Sequence, residues 1–137
     1  MTKHATLSPS AAHRWMPCPG SVRMSAGIPR KSSPDAALGT AAHKLGEICL
    51  REGKDTKPFV GTIIDTETDG SWEVTKEMAK CVQDYLDEVR RVQKLLGGAL
   101  HIEERLDLTA LVPDMFGTAD AVIVSTDNPA DENEEEF

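Results

Sequence analysis

Leu100-His101-Ile102-Glu103-Glu104-Arg105-Leu106-Asp107-Leu108 sets apolar side chains at a period of two, and Thr118-Ala119-Asp120-Ala121-Val122-Ile123-Val124 follows ten residues later. The first run predicts a half-buried strand, with Leu100, Ile102, Leu106 and Leu108 on one face and His101, Glu103, Arg105 and Asp107 on the other. Glu104 falls on the apolar side of that strand, an unusual place for a carboxylate. Val112-Pro113-Asp114-Met115-Phe116-Gly117 has the composition of a turn. The second run predicts a strand that is apolar on both faces apart from Asp120. A β-hairpin therefore closes the readable part of the chain.

Working back from the hairpin, the period changes to that of a helix. Met78, Cys81, Val82, Tyr85, Leu86, Val89, Val92 and Leu96 recur at i, i+3, i+4 and i+7. Acidic residues lead this segment, basic residues close it, and Gly97-Gly98 ends it. Residues 54–74 are turn-rich, with one β-like run at Phe59-Val60-Gly61-Thr62-Ile63-Ile64. Ser33-Pro34-Asp35 is an N-cap followed by proline at the first helical position, opening a helix that runs to about Arg51 and stops at Gly53. Its apolar stripe is Leu38, Ala41, Ala42, Leu45, Ile48 and Cys49. Ser8-Pro9 opens a shorter helix to Met16, which Pro17 ends, and 25–33 reads as a polar loop. The fold class is α+β, with N-terminal helices packed on a small antiparallel β-hairpin or sheet.

The chain has 137 residues, 39% of them hydrophobic, enough for one core without disulfide or zinc. No apolar run approaches the roughly 18 residues of a membrane span, and the N-terminus lacks the apolar segment of a secretory signal. These features argue against membrane and secreted proteins. Cys18, Cys49 and Cys81 form no close pair, which suits the reducing cytoplasm. The net charge of −8 is uneven. Residues 1–54 carry eight basic and three acidic side chains, 55–124 seven and fourteen, and 125–137 six acidic and none basic. Direct DNA binding by the whole molecule is expected to be weak, since only Arg14, Arg23, Arg30 and Lys31 in the first third offer a basic patch for a nucleic acid or a partner. The acidic remainder either serves solubility or matches a partner's basic groove. We expect one domain over 1–124 and an acidic, disordered tail over 125–137.

Two features carry possible chemistry. Gly39, His43, Gly46 and Leu50 project within about 60° of one another on the helix that begins at Pro34, apart from its apolar stripe. Two glycines inside a helix cost about 1 kcal/mol each against alanine, which suggests a very close neighbour. His43 then reads either as a histidine packed at a helix–sheet interface or as a ligand. Asp120, in an apolar strand, needs a partner or a cation if it is buried. Glu103 or Glu104 faces it across the hairpin, depending on register. His43, a glutamate and Asp120 would form an oxygen-rich set suited to Mg²⁺ or Mn²⁺.

Ser8-Pro9-Ser10-Ala11-Ala12-His13-Arg14-Trp15 with Cys18-Pro19, then Gly39-Thr40-Ala41-Ala42-His43, then Ile102-Glu103, then Phe116-Gly117-Thr118-Ala119-Asp120-Ala121-Val122-Ile123 resemble, in order, the landmarks of RecB-like nucleases of the PD-(D/E)XK superfamily, in a phage-encoded branch. The resemblance spans about residues 7–124. It implies that His43 and Asp120 ligate a divalent metal, Mg²⁺ or Mn²⁺, and that Glu103 is a secondary acid near the site. In some relatives the early cysteine is one of four iron–sulfur ligands, but Cys18 has no later cluster to join. In the family a further strand carries Asp/Glu-x-Lys, which this sequence lacks after Asp120, so the expected fold is a truncated core with an open edge strand at 118–124. That edge is closed by a second copy, by a partner's strand, or by Phe59–Ile64 folding across it.

The expectation from these readings is a non-enzymatic, phage-derived protein that binds and inhibits a host nucleic-acid-processing or defence complex, as an anti-CRISPR protein does, in the host cytoplasm, with no cofactor or with Mg²⁺ or Mn²⁺ if the residual site binds metal. The alternative is a Mg²⁺-dependent DNA nuclease whose site is completed by dimerisation or by another chain.

Overall fold

The computed structural model describes residues 5–29 and 33–125. Arg30 and Lys31 of the basic patch, and the tail from residue 126, lie outside the described residues.

Two long helices are built as their end signals dictate. Helix α3 (Pro34–Glu52) starts where the Ser33 hydroxyl accepts the Ala36 amide at 3.1 Å and stops at Gly53, whose φ of 64° is left-handed. Helix α4 (Lys76–Leu96) starts where Thr75 accepts the Met78 amide at 3.1 Å and stops at Gly97, also at φ 64°. An alanine cap in place of either hydroxyl leaves an amide unpaired, and glycine takes the left-handed cap without a Cβ clash. Ala41, Leu45 and Cys49 of α3 pack against Met78, Ala79, Val82 and Leu86 of α4. Ile64 and Val74 join the same buried cluster, with Phe59 and Trp72 packed on its rim.

Ahead of this pair lie a 3-10 turn (Pro9–Ala11), α1 (Ala12–Trp15) and α2 (Gly20–Met24). The Trp15 indole N–H donates to the Ser8 carbonyl at 2.9 Å and so fastens α1 to its entry turn. Helix α2 is absent from the sequence reading, and no side chain caps it.

The stretch 54–74 is more ordered than its composition predicts. Strands β1 (Ile63–Thr66) and β2 (Gly70–Glu73) form an antiparallel hairpin, and Phe59 belongs to a 3-10 turn rather than a strand. The Thr66 hydroxyl donates to the Gly70 carbonyl at 2.7 Å and accepts the Asp69 amide at 3.1 Å, so local side-chain bonds make the turn. Strands of four residues are too short for alternation to reveal.

Strands β3 (Ala99–Asp107) and β4 (Phe116–Val124) form the second antiparallel hairpin, with Ala99 opposite Val124 and Asp107 opposite Phe116. The protein is therefore mixed α+β, with helices and two separate two-stranded antiparallel sheets among the described residues. Of the three closures expected for the outer edge of β4, the internal one is corrected: β1 pairs with β2, not with β4. Among the described residues β4 has only β3 as a strand partner. Pro9 packs over Gly117, at 3.3 Å from the place a Cβ would take, where β4 begins. Helix α4 lies against β4, and α3 against β3 and the β1–β2 hairpin.

Candidate functional site

Helix α3 carries His43 on the flank that meets the β3–β4 hairpin. Its Nδ1 lies 3.4 Å from Oδ2 of Asp120, in the middle of β4. Both side chains are more than half exposed, 63% and 51%. Asp120 is therefore not a buried carboxylate: it is half exposed with an imidazole as neighbour, so it carries no large desolvation penalty.

The register decides between the two glutamates. Ile102 is opposite Ala121 and Glu104 opposite Ala119, which sets Glu103 across from Asp120. Glu104 is half exposed, with an oxygen 3.9 Å from His101 Nδ1. Its predicted place on the apolar side is therefore corrected. The cause is Glu103, whose φ of 53° is left-handed and reverses the alternation of β3 at that point.

His43, Glu103 and Asp120 line one cleft of about 440 Å³ together with Ala36, Gly39 and Thr40. The two glycines of this helix face behave differently. A Cβ at Gly46 would stand 3.3 Å from the Tyr85 ring, the close neighbour that was expected. A Cβ at Gly39 would meet nothing within 4 Å, so no neighbour presses on it and it borders open cleft instead. A second cleft of about 490 Å³ adjoins the first, between α3 and the β1–β2 turn, and shares Thr40, His43 and Glu103 with it.

Three side chains that the sequence reading leaves out of the site border it. Glu47 receives Lys44 Nζ and Arg51 Nε, each at 2.9 Å. The hydrogen bond from Lys44, more than that from Arg51, holds its carboxyl below the ordinary range against the opposing effect of burial. Arg51 also donates through Nη2 to the Ile102 carbonyl at 3.3 Å. His43, Glu47 and Arg51 recur every four residues, a spacing that marks one helix face. Tyr85 reads as part of the α4 apolar stripe, yet burial first, and then the charges of Asp120 and Glu103, push its phenol upward. Burial likewise pushes the Glu103 carboxyl above its ordinary value, aided by Asp120 and Glu47 and opposed by His43 and Arg51.

In chemical type, one imidazole and two carboxylates suit Mg²⁺ or Mn²⁺. In placement they fall short: among the described residues no group of three or more His, Cys, Asp or Glu is arranged to hold a metal ion. The residues present do not by themselves make a metal centre. Arg14 and Arg23 are exposed on α1 and α2, and neither lines the cleft; Arg23 borders an apolar hollow of about 1070 Å³ between those helices. Cys18, Cys49 and Cys81 are free thiols.

A family model described as "Protein of unknown function (DUF2800)" matches residues 4–129. The chain belongs to the DUF2800 family. The match contains the whole cleft, from the Gly39–His43 turn of α3 to Asp120 of β4. No solved structure matches the chain. No helix among the described residues is long and apolar enough to cross a membrane.

Proposed function

We propose that the cleft of His43, Glu103 and Asp120 is part of a phosphodiester-cleaving centre of the RecB-like kind, acting on DNA and completed by a second copy or another chain. One observation carries this reading. Three of the four landmarks that resemble that superfamily supply His43, Glu103 and Asp120, 17 to 77 residues apart in the sequence, to a single cleft. The His43–Asp120 contact joins the helix landmark to the strand landmark directly.

The chain's own groups have separable parts to play. Asp120 and Glu103 offer carboxylate oxygens from facing strands, and His43 orients the Asp120 carboxylate. Burial first, and then the charge of Asp120, raises the Glu103 carboxyl above its ordinary value. Completion is required because the nearby cations are engaged: Lys44 and Arg51 are both bound to Glu47. Phosphodiester cleavage depends on positive charge at the phosphoryl oxygens, and one missing donor of this sort costs on the order of 10²–10³-fold.

The test is DNA cleavage by the chain in Mg²⁺ or Mn²⁺, alone and with candidate partner chains, beside Asp120→Asn. The expected result is metal-dependent cleavage in the completed assembly that falls by at least about 10²-fold in the variant. Cleavage that Asp120→Asn leaves intact, or none in any assembly, removes the reading.

The second reading is a protein that docks on and inhibits a host nucleic-acid-processing complex. The edge of β4, unpaired among the described residues, and the −8 charge favour it. Co-elution with such a complex, loss of that complex's DNA binding, and indifference to Asp120→Asn would support it over the first.

A further inference from the structure

Arg51 occupies the last full turn of α3 and is half exposed. It spans two acceptors at once: Nε to Oε1 of Glu47 at 2.9 Å and Nη2 to the Ile102 carbonyl at 3.3 Å. That carbonyl immediately precedes Glu103. Among the described residues only Glu103 and Asp114 are non-glycine residues at positive φ. Asp114 lies in the loop between β3 and β4, where a short polar side chain tolerates the left-handed region. Glu103 lies inside a strand, where the same conformation is strained and persists only if its surroundings hold it.

The left-handed residue has two visible consequences. The pairing of β3 with β4 skips Glu103 and resumes at Glu104 with no change of register. His101 and Glu104, which a regular strand would send to opposite faces, come within 3.9 Å of each other. Glu103 itself is turned into the cleft beside Asp120 and His43.

We propose that Arg51 is a positioning residue: by gripping the Ile102 carbonyl from α3 it fixes the left-handed turn at Glu103, and so aims the Glu103 carboxylate into the cleft across from Asp120. Only the use of that carboxylate in DNA cleavage rests on the nuclease reading above; the backbone device does not. Arginine suits the task because its planar fork serves a carboxylate and a carbonyl together, which the single nitrogen of a lysine does not span in the same geometry.

The experiment compares the full chain with Arg51→Met, Arg51→Lys and Glu47→Gln by NMR in labelled protein. It reads the amide-to-α-proton coupling of Glu103 and the His101–Glu104 side-chain proximity. We expect both Arg51 variants to lose the proximity signal and to shift Glu103 toward strand values, while the signals of Leu45 and Leu86 stay in place. We expect Glu47→Gln to keep the turn. An arginine serving only as a helix ion pair leaves Glu103 unmoved in every variant, and that result overturns the proposal. If the assembly cleaves DNA, Arg51→Met should lower turnover by about 10- to 100-fold with little change in KM, and Arg51→Lys should not rescue it. An inactive wild type defeats the nuclease reading while the backbone result stands. A lost turn with full turnover supports the backbone device and overturns the use of the Glu103 carboxylate in cleavage.

Discussion

The α3–α4 pair and the β3–β4 hairpin are built on opposite terms. Leu45 and Cys49 of α3 and Leu86 of α4 are fully buried, whereas no residue of β3 or β4 is. The helices hold the molecule together, and the hairpin lies against them presenting polar groups to an open cleft. Stability and chemistry are thereby largely separated. The hairpin contributes the half-exposed Asp120 and the partly buried Glu103, neither of them part of the helical core, and the helix contributes His43 from the flank that its core stripe does not use.

Leu86→Ala tests that division most strongly. It should cost about 2–5 kcal/mol in chemical denaturation, as should Leu45→Ala, whereas Asp120→Ala should stay within about 0.5 kcal/mol. An Asp120 variant as destabilised as Leu86→Ala would show that the cleft is part of the core, and the comparison would break. Thr75→Ala should cost about 1 kcal/mol through the lost cap of α4, read as a lower denaturation midpoint. Gly39→Ala should stabilise by about 0.5–1 kcal/mol, because helix propensity improves and nothing stands where the methyl goes. The same substitution at Gly46 should gain less or lose, since the Tyr85 ring must yield. Equal gains at both positions would mean that Tyr85 does not press on α3.

The smallest effect is on pH dependence, and it takes opposite signs at two glutamates beside the cleft. Glu103 has a folded value above its unfolded one, so its ionisation opposes folding above that value and the penalty fades as the pH falls. Glu47 has a folded value below its unfolded one, so it contributes stability above the unfolded value and loses it as the pH falls through the folded value. Thermal melts should therefore show Glu103→Gln slightly more stable than wild type at pH 7, with the difference vanishing in acid. Glu47→Gln should be less stable at pH 7, and that difference should also shrink in acid. Melting differences of one sign for both variants would contradict these charge environments.

The long elements were legible because their signals are local. Ser33-Pro34 and Gly53 bound α3, an apolar period and Gly97-Gly98 marked α4, and the alternation around Ile102 gave β3. His43 and Asp120 were also legible as candidates: one sits on a glycine-lined helix face, and the other interrupts an apolar strand. The β1–β2 hairpin was hidden because its order comes from hydroxyl-to-backbone bonds at Thr66 rather than from a period. Arg51 was hidden because its second acceptor, the Ile102 carbonyl, is 51 residues away.

By itself, the sequence determined the two long helices, the β3–β4 hairpin and which residue types were available for chemistry. Periodicity and end caps act over a few residues and need no partner. Only the tertiary structure decided that Glu103 rather than Glu104 faces Asp120, that Asp120 is half exposed rather than buried, and that Gly39 opens on a cleft. Those outcomes depend on one left-handed residue in β3 and on how the hairpin lies against α3. Contacts between distant segments set both, and no local pattern encodes them.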